Sequence, residues 1–281
     1  MNLAIVSGKG GTGKTTVAVN LAAYMSRERD IRLLDADAEE PNAVLFFQAD
    51  MSRDMAVSVM VPEILHEKCT RCRKCVEMCE YNALMMTRKG VLLSPDLCHS
   101  CGACMYVCPE KAILEKFRET GRIREYHCKA YPRLQVIEGD LHRGESRVTP
   151  VIDDVLSYAG PCTIIDAPPG TSCPVVETVK HADRVLVVTE STPFGLHDLK
   201  GVAAMLRLIR KPFQVVINRH GQGDDGVENW CKEEGIPVVL KIPFREDYAR
   251  VIAGGGLLIE HFPRFREDMA CLAKDLCGKG L

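Results

Sequence analysis

Gly8-Lys9-Gly10-Gly11-Thr12-Gly13-Lys14-Thr15 is the stretch that decides the fold, and Thr16 continues it. The run matches G-x4-G-K-[ST]. Before it, residues 3–7 form a short apolar segment that reads as a buried parallel strand. After it, Val17, Leu21, Ala22 and Met25 recur at helical spacing between Thr15 and Met25. A glycine-rich turn between a strand and a helix aims backbone N–H groups and the positive helix end at an anion. In that setting Lys14 reaches the β- and γ-phosphates of a nucleotide, and the Thr15 hydroxyl ligates Mg²⁺. Gly8 to Thr16 therefore predict a site for ATP or ADP with Mg²⁺.

Outward from the loop, apolar strand-like runs alternate with helical patterns. Ile31–Leu34 ends at Asp35, and later strands are predicted over 162–165, 184–189, 213–218 and 238–242. Helices are predicted over 173–181, 195–209, 225–234, 246–253 and 263–276. This alternation predicts an α/β fold, a mostly parallel sheet flanked by helices.

The rhythm breaks in a repeat. Cys69-x2-Cys72-x2-Cys75-x3-Cys79 recurs 29 residues later as Cys98-x2-Cys101-x2-Cys104-x3-Cys108, followed by Pro109. The repeat unit is too small to bury its own core without a metal. Residues 65–115 are therefore read as a small α+β domain inserted into an ATPase domain made of 1–64 and 116–281. Met55–Ile64 and Glu125–Leu141 read as extended connectors on either side. Without the insert about 230 residues remain, one α/β domain.

Bulk composition excludes several classes. A formal net charge of −2 and 6% aromatic residues give no basis for nucleic-acid binding. No stretch is apolar for the 18 residues a membrane span needs, and the first residues lack a signal peptide's basic segment. A cytoplasmic location is expected, where cysteine runs indicate metal rather than disulfides. Cys128, Cys162, Cys173, Cys231, Cys271 and Cys277 lack metal-pair spacing and read by default as buried thiols.

The second lysine of the loop, Lys9 in Lys9-Gly10-Gly11-Thr12-Gly13-Lys14-Thr15, resembles the deviant Walker A of the MinD/ParA superfamily of P-loop ATPases, which includes Mrp-like cluster carriers. The resemblance implies that Lys9 contacts the nucleotide of a facing subunit, in a homodimer or a dimer with a related ATPase. It implies that Asp37, in Asp35-Ala36-Asp37, orients the attacking water, with Asp35 in support. Thr163 to Gly170 resembles the second switch, so Asp166 would hold the Mg²⁺ shell and the Gly170 N–H would sense the γ-phosphate. Asn218 and Arg219, in Ile217-Asn218-Arg219, match the segment that reads the adenine edge, and Ile242-Pro243 resembles a later base-side loop. The implied catalytic set is Lys9, Lys14 and Asp37.

The cysteine runs resemble bacterial two-cluster ferredoxins, in which the fourth cysteine of each run crosses to the other cluster. That resemblance implies two 4Fe–4S clusters. One is held by Cys69, Cys72, Cys75 and Cys108, the other by Cys98, Cys101, Cys104 and Cys79. Glu80 stands where the family places a proline, and Pro109 keeps it. Tandem four-cysteine runs suit paired zinc ligation poorly.

Together the resemblances imply an ATP-hydrolysing iron–sulfur protein. Its nucleotide-driven dimer switch would serve cluster assembly or electron transfer on a client metalloprotein or redox protein. Two alternatives stay open. One is a ParA/MinD-type positioning ATPase acting on DNA or membrane, for which the mixed-charge tail Arg264–Lys279 offers little basic surface. The other is an ATP-gated reductase resembling the nitrogenase iron protein, which carries a cluster cysteine just beyond its second switch, where Cys173 stands here.

Overall fold

The segment before the glycine loop forms β1 (Asn2–Val6), and Leu3 to Val6 are completely buried. α1 (Lys14–Met25) follows the loop, then β2 (Ile31–Asp35), β3 (Ala49–Ile64), α2 (Lys74–Glu77), β4 (Leu84–Thr87), β5 (Gly90–Leu93) and α3 (Ala103–Tyr106). The chain continues through β6 (Ile113–Cys128), β7 (Leu134–Leu141), α4 (Thr149–Ser157), β8 (Thr163–Asp166), α5 (Cys173–Lys180), β9 (Arg184–Glu190) and α6 (Pro193–Leu208). It ends with β10 (Phe213–His220), α7 (Gly226–Glu233), β11 (Val238–Pro243), α8 (Glu246–Ala253), α9 (Leu258–His261) and α10 (Pro263–Cys277). This computed structural model describes residues 1–277, so Lys279 and the side chain of Cys277 lie outside the described residues.

Nine strands form one sheet in the order β11-β10-β9-β1-β8-β2-β7-β6-β3. The pairs from β11 to β7 are parallel, and β7–β6 and β6–β3 are antiparallel. Side chains alternate across the parallel part, as strand geometry requires. Leu3 and Ile5 pack toward α1, α9 and α10, whereas Ala4 and Val6 pack toward α5, α6 and α7. α1 is buried nearly all round because it lies between the sheet and α10. Buried Asn20 joins this layer by accepting from Ile259 N–H at 3.0 Å and donating to the Thr16 carbonyl at 2.8 Å. The apolar face of α10, with Phe265, Met269, Leu272 and Leu276, is buried against this core.

The flanks of the cysteine region differ from their reading as connectors. β3 and β6 pair along their whole length, from Ala49↔Cys128 to Ile64↔Ile113. β6 reaches β7 only between Gly121 and His127, so the far halves of β3 and β6 leave the sheet as a two-stranded ribbon. A bulge marks the departure. Val57 pairs with Gly121 and Ser58 with Glu119, leaving Thr120 unpaired and fully buried, with its hydroxyl on the Val57 carbonyl at 3.3 Å. An extra residue bends a strand at such points. β7 belongs to the main sheet beside β2, which the connector reading missed because its run ends in polar Glu138, Gly139 and Asp140. α4 was also missed, although Val151, Ile152, Val155 and Leu156 carry a helical stripe after Pro150.

Residues 65–112 sit at the ribbon's tip, with β4 and β5 as a separate hairpin. The sequence repeat reappears in the backbone. Left-handed φ values occur at Arg71 (59°), Arg73 (67°) and Asn82 (52°), and 29 residues later at Ser100 (54°), Gly102 (71°) and Lys111 (48°). Non-glycine residues rarely adopt this region, so each unit wraps its cysteines with the same three tight bends. The small cores here include the thiols themselves, Cys75 with Leu84, Val91 and Ile113, and Cys98 with Val61 and Ala83.

Gly139 allows α4 to lie directly on β7, since a Cβ there would meet Val155 Cγ2 at 2.7 Å and Val151 Cγ1 at 2.9 Å. Gly139→Ala is expected to destabilise the fold by about 1–3 kcal/mol through overpacking, measured as a lower urea midpoint with an unchanged m-value.

Candidate functional site

The glycine loop closes the carboxyl end of β1, where open parallel sheets bind ligands. Gly11 and Gly13 hold left-handed φ values of 76° and 92°. Gly13 is restricted twice, because a Cβ there would also lie 2.2 Å from Asn218 Nδ2. No side chain caps the start of α1, so its first N–H groups remain available to phosphate oxygens. A cleft of about 1030 Å³ opens over Gly10, Gly11, Gly13, Lys14, Thr15 and Thr16, with Asp37, Asn218 and Arg219 on its other walls. Ile242, Pro243 and Phe244 extend it as an apolar shelf.

Beneath the loop lies a buried charge cluster. β2 and β8 pair in register at their carboxyl ends, which sets Asp35 beside Asp166, both with no exposed surface. Lys14, only 6% exposed, places Nζ 2.8 Å from Asp166 Oδ1 and 3.6 Å from Asp37 Oδ2. Asp35 turns away to accept N–H bonds from Asp37 (3.2 Å), Asn42 (2.8 Å) and Ala43 (2.9 Å), fixing the segment after β2. Burial pushes the Asp35 carboxyl well up, and the nearby Asp166 charge adds to this. Burial also pushes Asp37 up to about 6, against the pull of Lys14. Burial lowers Lys14, but the Asp166 and Asp37 charges outweigh it and its pKa is raised overall.

Asp166 Oδ2 and Thr12 Oγ1 are buried without a hydrogen-bond partner. A buried orphan carboxylate oxygen is costly unless another group completes it. Thr15 lines the cleft above these atoms, and Asp166 and Thr15 together are a donor set that fits a hydrated Mg²⁺.

On the rim, Lys9 Nζ lies 3.2 Å from Glu190 Oε2 and Arg219 Nη1 lies 2.6 Å from Glu190 Oε1. The Asn218 amide donates to the Thr12 carbonyl at 2.8 Å and accepts from Arg219 N–H at 2.9 Å, so it braces the loop. Gly170, at φ 97°, donates its N–H to the Ser7 carbonyl at 2.8 Å. Contact with a terminal phosphate requires that hydrogen bond to open.

The eight repeated cysteines gather in two sets. One small cavity is lined by Cys69, Cys72, Cys75 and Cys108, and another by Cys79, Cys98, Cys101 and Cys104. In each set the crossing cysteine receives a backbone hydrogen bond, Ala83 N–H to Cys79 Sγ and Ala112 N–H to Cys108 Sγ, both at 3.3 Å. The eight cysteines of the two runs form no disulfide. Among the described residues, no three His, Cys, Asp or Glu side chains converge as a site for a metal ion. Of the other cysteines, Cys128 and Cys231 are buried as expected, whereas Cys173 and Cys271 are exposed.

The family model for the CobQ/CobB/MinD/ParA nucleotide binding domain matches residues 3–258. The chain belongs to this family. An uncharacterized protein of Methanocaldococcus jannaschii is 31% identical over 98% of this chain and 96% of its own length. An iron-sulfur cluster carrier protein of Pyrococcus furiosus is 23% identical over 86% of this chain and 73% of its own. Among solved structures, the septum site-determining protein MinD complexed with Mg-ADP from Pyrococcus horikoshii superposes with a TM-score of 0.60 at 18% identity, covering 98% of this chain and 95% of that one. That likeness establishes the fold, a P-loop α/β domain with a largely parallel sheet and flanking helices. No described helix is long and apolar enough to cross a membrane.

For this CobQ/CobB/MinD/ParA member, the cleft brings together Gly10, Gly11, Gly13, Lys14, Thr15, Thr16, Asp37, Asn218 and Arg219. Gly8 lies outside it. A Cβ at Gly8 would meet Asp198 Cβ at 2.5 Å, so the absence of a side chain there lets α6 approach the loop. Glu190 was missed. It stands at the end of β9, 7% exposed, and holds both Lys9 and Arg219. A carboxylate ending an otherwise apolar strand was the available signal.

Asp37 also predicts a pH effect. Its folded pKa of about 6 exceeds the 3.8 of an ordinary aspartate. The folded state therefore holds this proton more tightly, and the stability it contributes is lost as pH rises from about 4 through about 6. Asp37→Asn is expected to flatten that fall, measured by urea denaturation at pH 4.5 and 7.

Proposed function

We propose that this protein is an ATP-binding and ATP-hydrolysing iron–sulfur protein. Its nucleotide-driven dimer switch acts on cluster assembly or electron transfer to a client metalloprotein or redox protein. The observation that carries this reading is the sorting of eight cysteines into two crossed sets, each around its own cavity, on a ribbon grown from the nucleotide-binding sheet. Each set draws three thiols from one run and the fourth from the other, the ligation of an inserted ferredoxin-like domain at 65–115. When bound, two 4Fe–4S clusters supply one-electron chemistry.

At the nucleotide, Lys14 binds the β- and γ-phosphates and thereby loosens its pair with Asp37. Asp37, released from that pair, orients the attacking water. Asp166 and Thr15 would hold Mg²⁺, which would offset phosphate charge. Lys9 swings from Glu190 to the facing subunit's phosphates, in a homodimer or a dimer with a related ATPase. Asn218 and Arg219 stand on the base side.

A hydrogen-bonded chain leads from this switch toward the cysteines. Leu141 N–H donates to the Ala38 carbonyl at 2.8 Å, next to Asp37, and His142 N–H donates to the bulged Thr120 at 2.9 Å, at the root of the ribbon. The iron-sulfur cluster carrier of P. furiosus supports the same assignment by its name. The burial of the α10 apolar face leaves little for a membrane-positioning role.

Anaerobic reconstitution is expected to yield about eight iron atoms per chain. Lys14→Ala should lose ATP affinity at least tenfold. Lys9→Ala should bind ATP normally but fail to dimerise with it, as read by light scattering. Iron-free protein, or ATP affinity unchanged in Lys14→Ala, would overturn the reading.

A further inference from the structure

The two cysteine sets are tied differently to the rest of the molecule. The second run is gripped by the segment between β7 and α4. Arg147 Nη1 donates to the Cys98 carbonyl at 3.0 Å and to Ser100 Oγ at 3.4 Å. Ser146 Oγ donates to the Asp96 carbonyl at 3.2 Å. Arg118, on the ribbon, bridges Asp96 at 2.7 Å and Glu145 at 3.4 Å. For the first run, the corresponding bond joins Arg71 to the Arg88 carbonyl at 3.3 Å, inside the same small unit.

Arg147 is unusually placed. Its side chain is 8% exposed and that of Glu145 3%. Glu145 takes one edge of the guanidinium with both oxygens, Nε to Oε1 and Nη2 to Oε2, each at 2.8 Å. The opposite edge faces the second cysteine set. Arg147, Arg118, Glu145 and Asp96 sum to zero charge, so their net effect on that set is directional. The positive end points at Cys98 and the carboxylate of Glu145 stands behind it. An arginine fork held this way is rigid and stays charged at any ordinary pH.

We infer that Arg147 is a positioning residue for the second set, fixing the Cys98 loop and raising the reduction potential of the cluster bound by Cys79, Cys98, Cys101 and Cys104. This rests on the iron–sulfur reading above. A cluster with four thiolates carries net negative charge that grows by one on reduction, and a nearby buried cation stabilises the reduced form. Arg71 and Arg73 also line the first set's cavity, but both are exposed to solvent, which screens their charge, and no described bond holds a cation against that set's ligand backbone. The two clusters are therefore unequal, and an added electron settles on the second, next to the segment that touches the nucleotide switch.

The test is a potentiometric titration of the reconstituted full-length protein followed by electron paramagnetic resonance. Cys101→Ser, at an exposed ligand, identifies the wave of the second set. Arg147→Met is expected to lower that wave by about a tenfold change in equilibrium, about 59 mV for one electron, and to leave the other in place. Glu145→Gln should raise the same wave, and Arg147→Lys, which keeps the charge, should stay near wild type. A residue that only holds the loop would move the potential alike in Arg147→Met and Glu145→Gln. Shifts of one sign, shifts in both waves, or no shift would overturn the inference while leaving the cluster reading intact. Where Arg147→Met fails to retain iron, Glu145→Gln and Arg147→Lys decide it by the same criteria. Wild-type protein that binds no iron overturns both readings.

Discussion

The nucleotide half of this molecule depends on one buried ammonium. Lys14 sits among three carboxylates, with contacts of 2.8 Å to Asp166 and 3.6 Å to Asp37, while Asp35 lies beside Asp166 in register. Removing such charges from water is costly, and breaking a buried pair typically costs about 3–5 kcal/mol. The cluster therefore makes sense as a poised arrangement. Three carboxylates share one lysine, and burial holds Asp35 and Asp37 partly toward their neutral forms. Phosphate groups entering over the loop compete for Lys14 with their own negative charge. On the function proposed, that competition would convert binding into movement of the segment after β2.

This segment is bound on both sides, which gives the movement a direction. Asp35 caps it through the N–H groups of Asn42 and Ala43, and Ala38 holds the end of β7. Beyond β7 the chain meets both the ribbon's bulge at Thr120 and, through Arg147, the second cysteine set. The first set stands farther along this sequence of contacts. A unit whose small cores include its own cysteine thiols holds its shape poorly by apolar burial alone. Its anchorage to the larger domain thus falls to hydrogen bonds and ion pairs, which a switch can alter in steps.

Much of this was legible in the chain. Gly8 to Thr16 named the loop, strand–helix alternation named the parallel sheet, and the 29-residue period named the paired cysteine units. The period returned in the backbone as matched left-handed bends. What failed was local pattern at crowded places. β7 was read as connector because Glu138 and Asp140 are polar, yet both answer Arg124 on the neighbouring strand β6, at 3.1 and 2.7 Å. Arg147 was invisible because it acts on residues far away in sequence, and Glu190 left only the weak signal of a carboxylate ending an apolar strand, where charge ordinarily means solvent.

By itself the sequence determined the identity of the chemistry-bearing groups: the glycine loop, Lys9 and Lys14, the aspartates ending strands, and eight cysteines at fixed spacing. These follow from short-range constraints, in which backbone conformation and side-chain reach are set within a few residues. Only the tertiary structure decided which carboxylate each lysine meets, that β3 and β6 form a ribbon, and that the second cysteine set alone is gripped by Arg147. Those are outcomes of packing between segments separated by tens to hundreds of residues. Burial and dielectric there arise only when the sheet, its helices and the ribbon exclude water together.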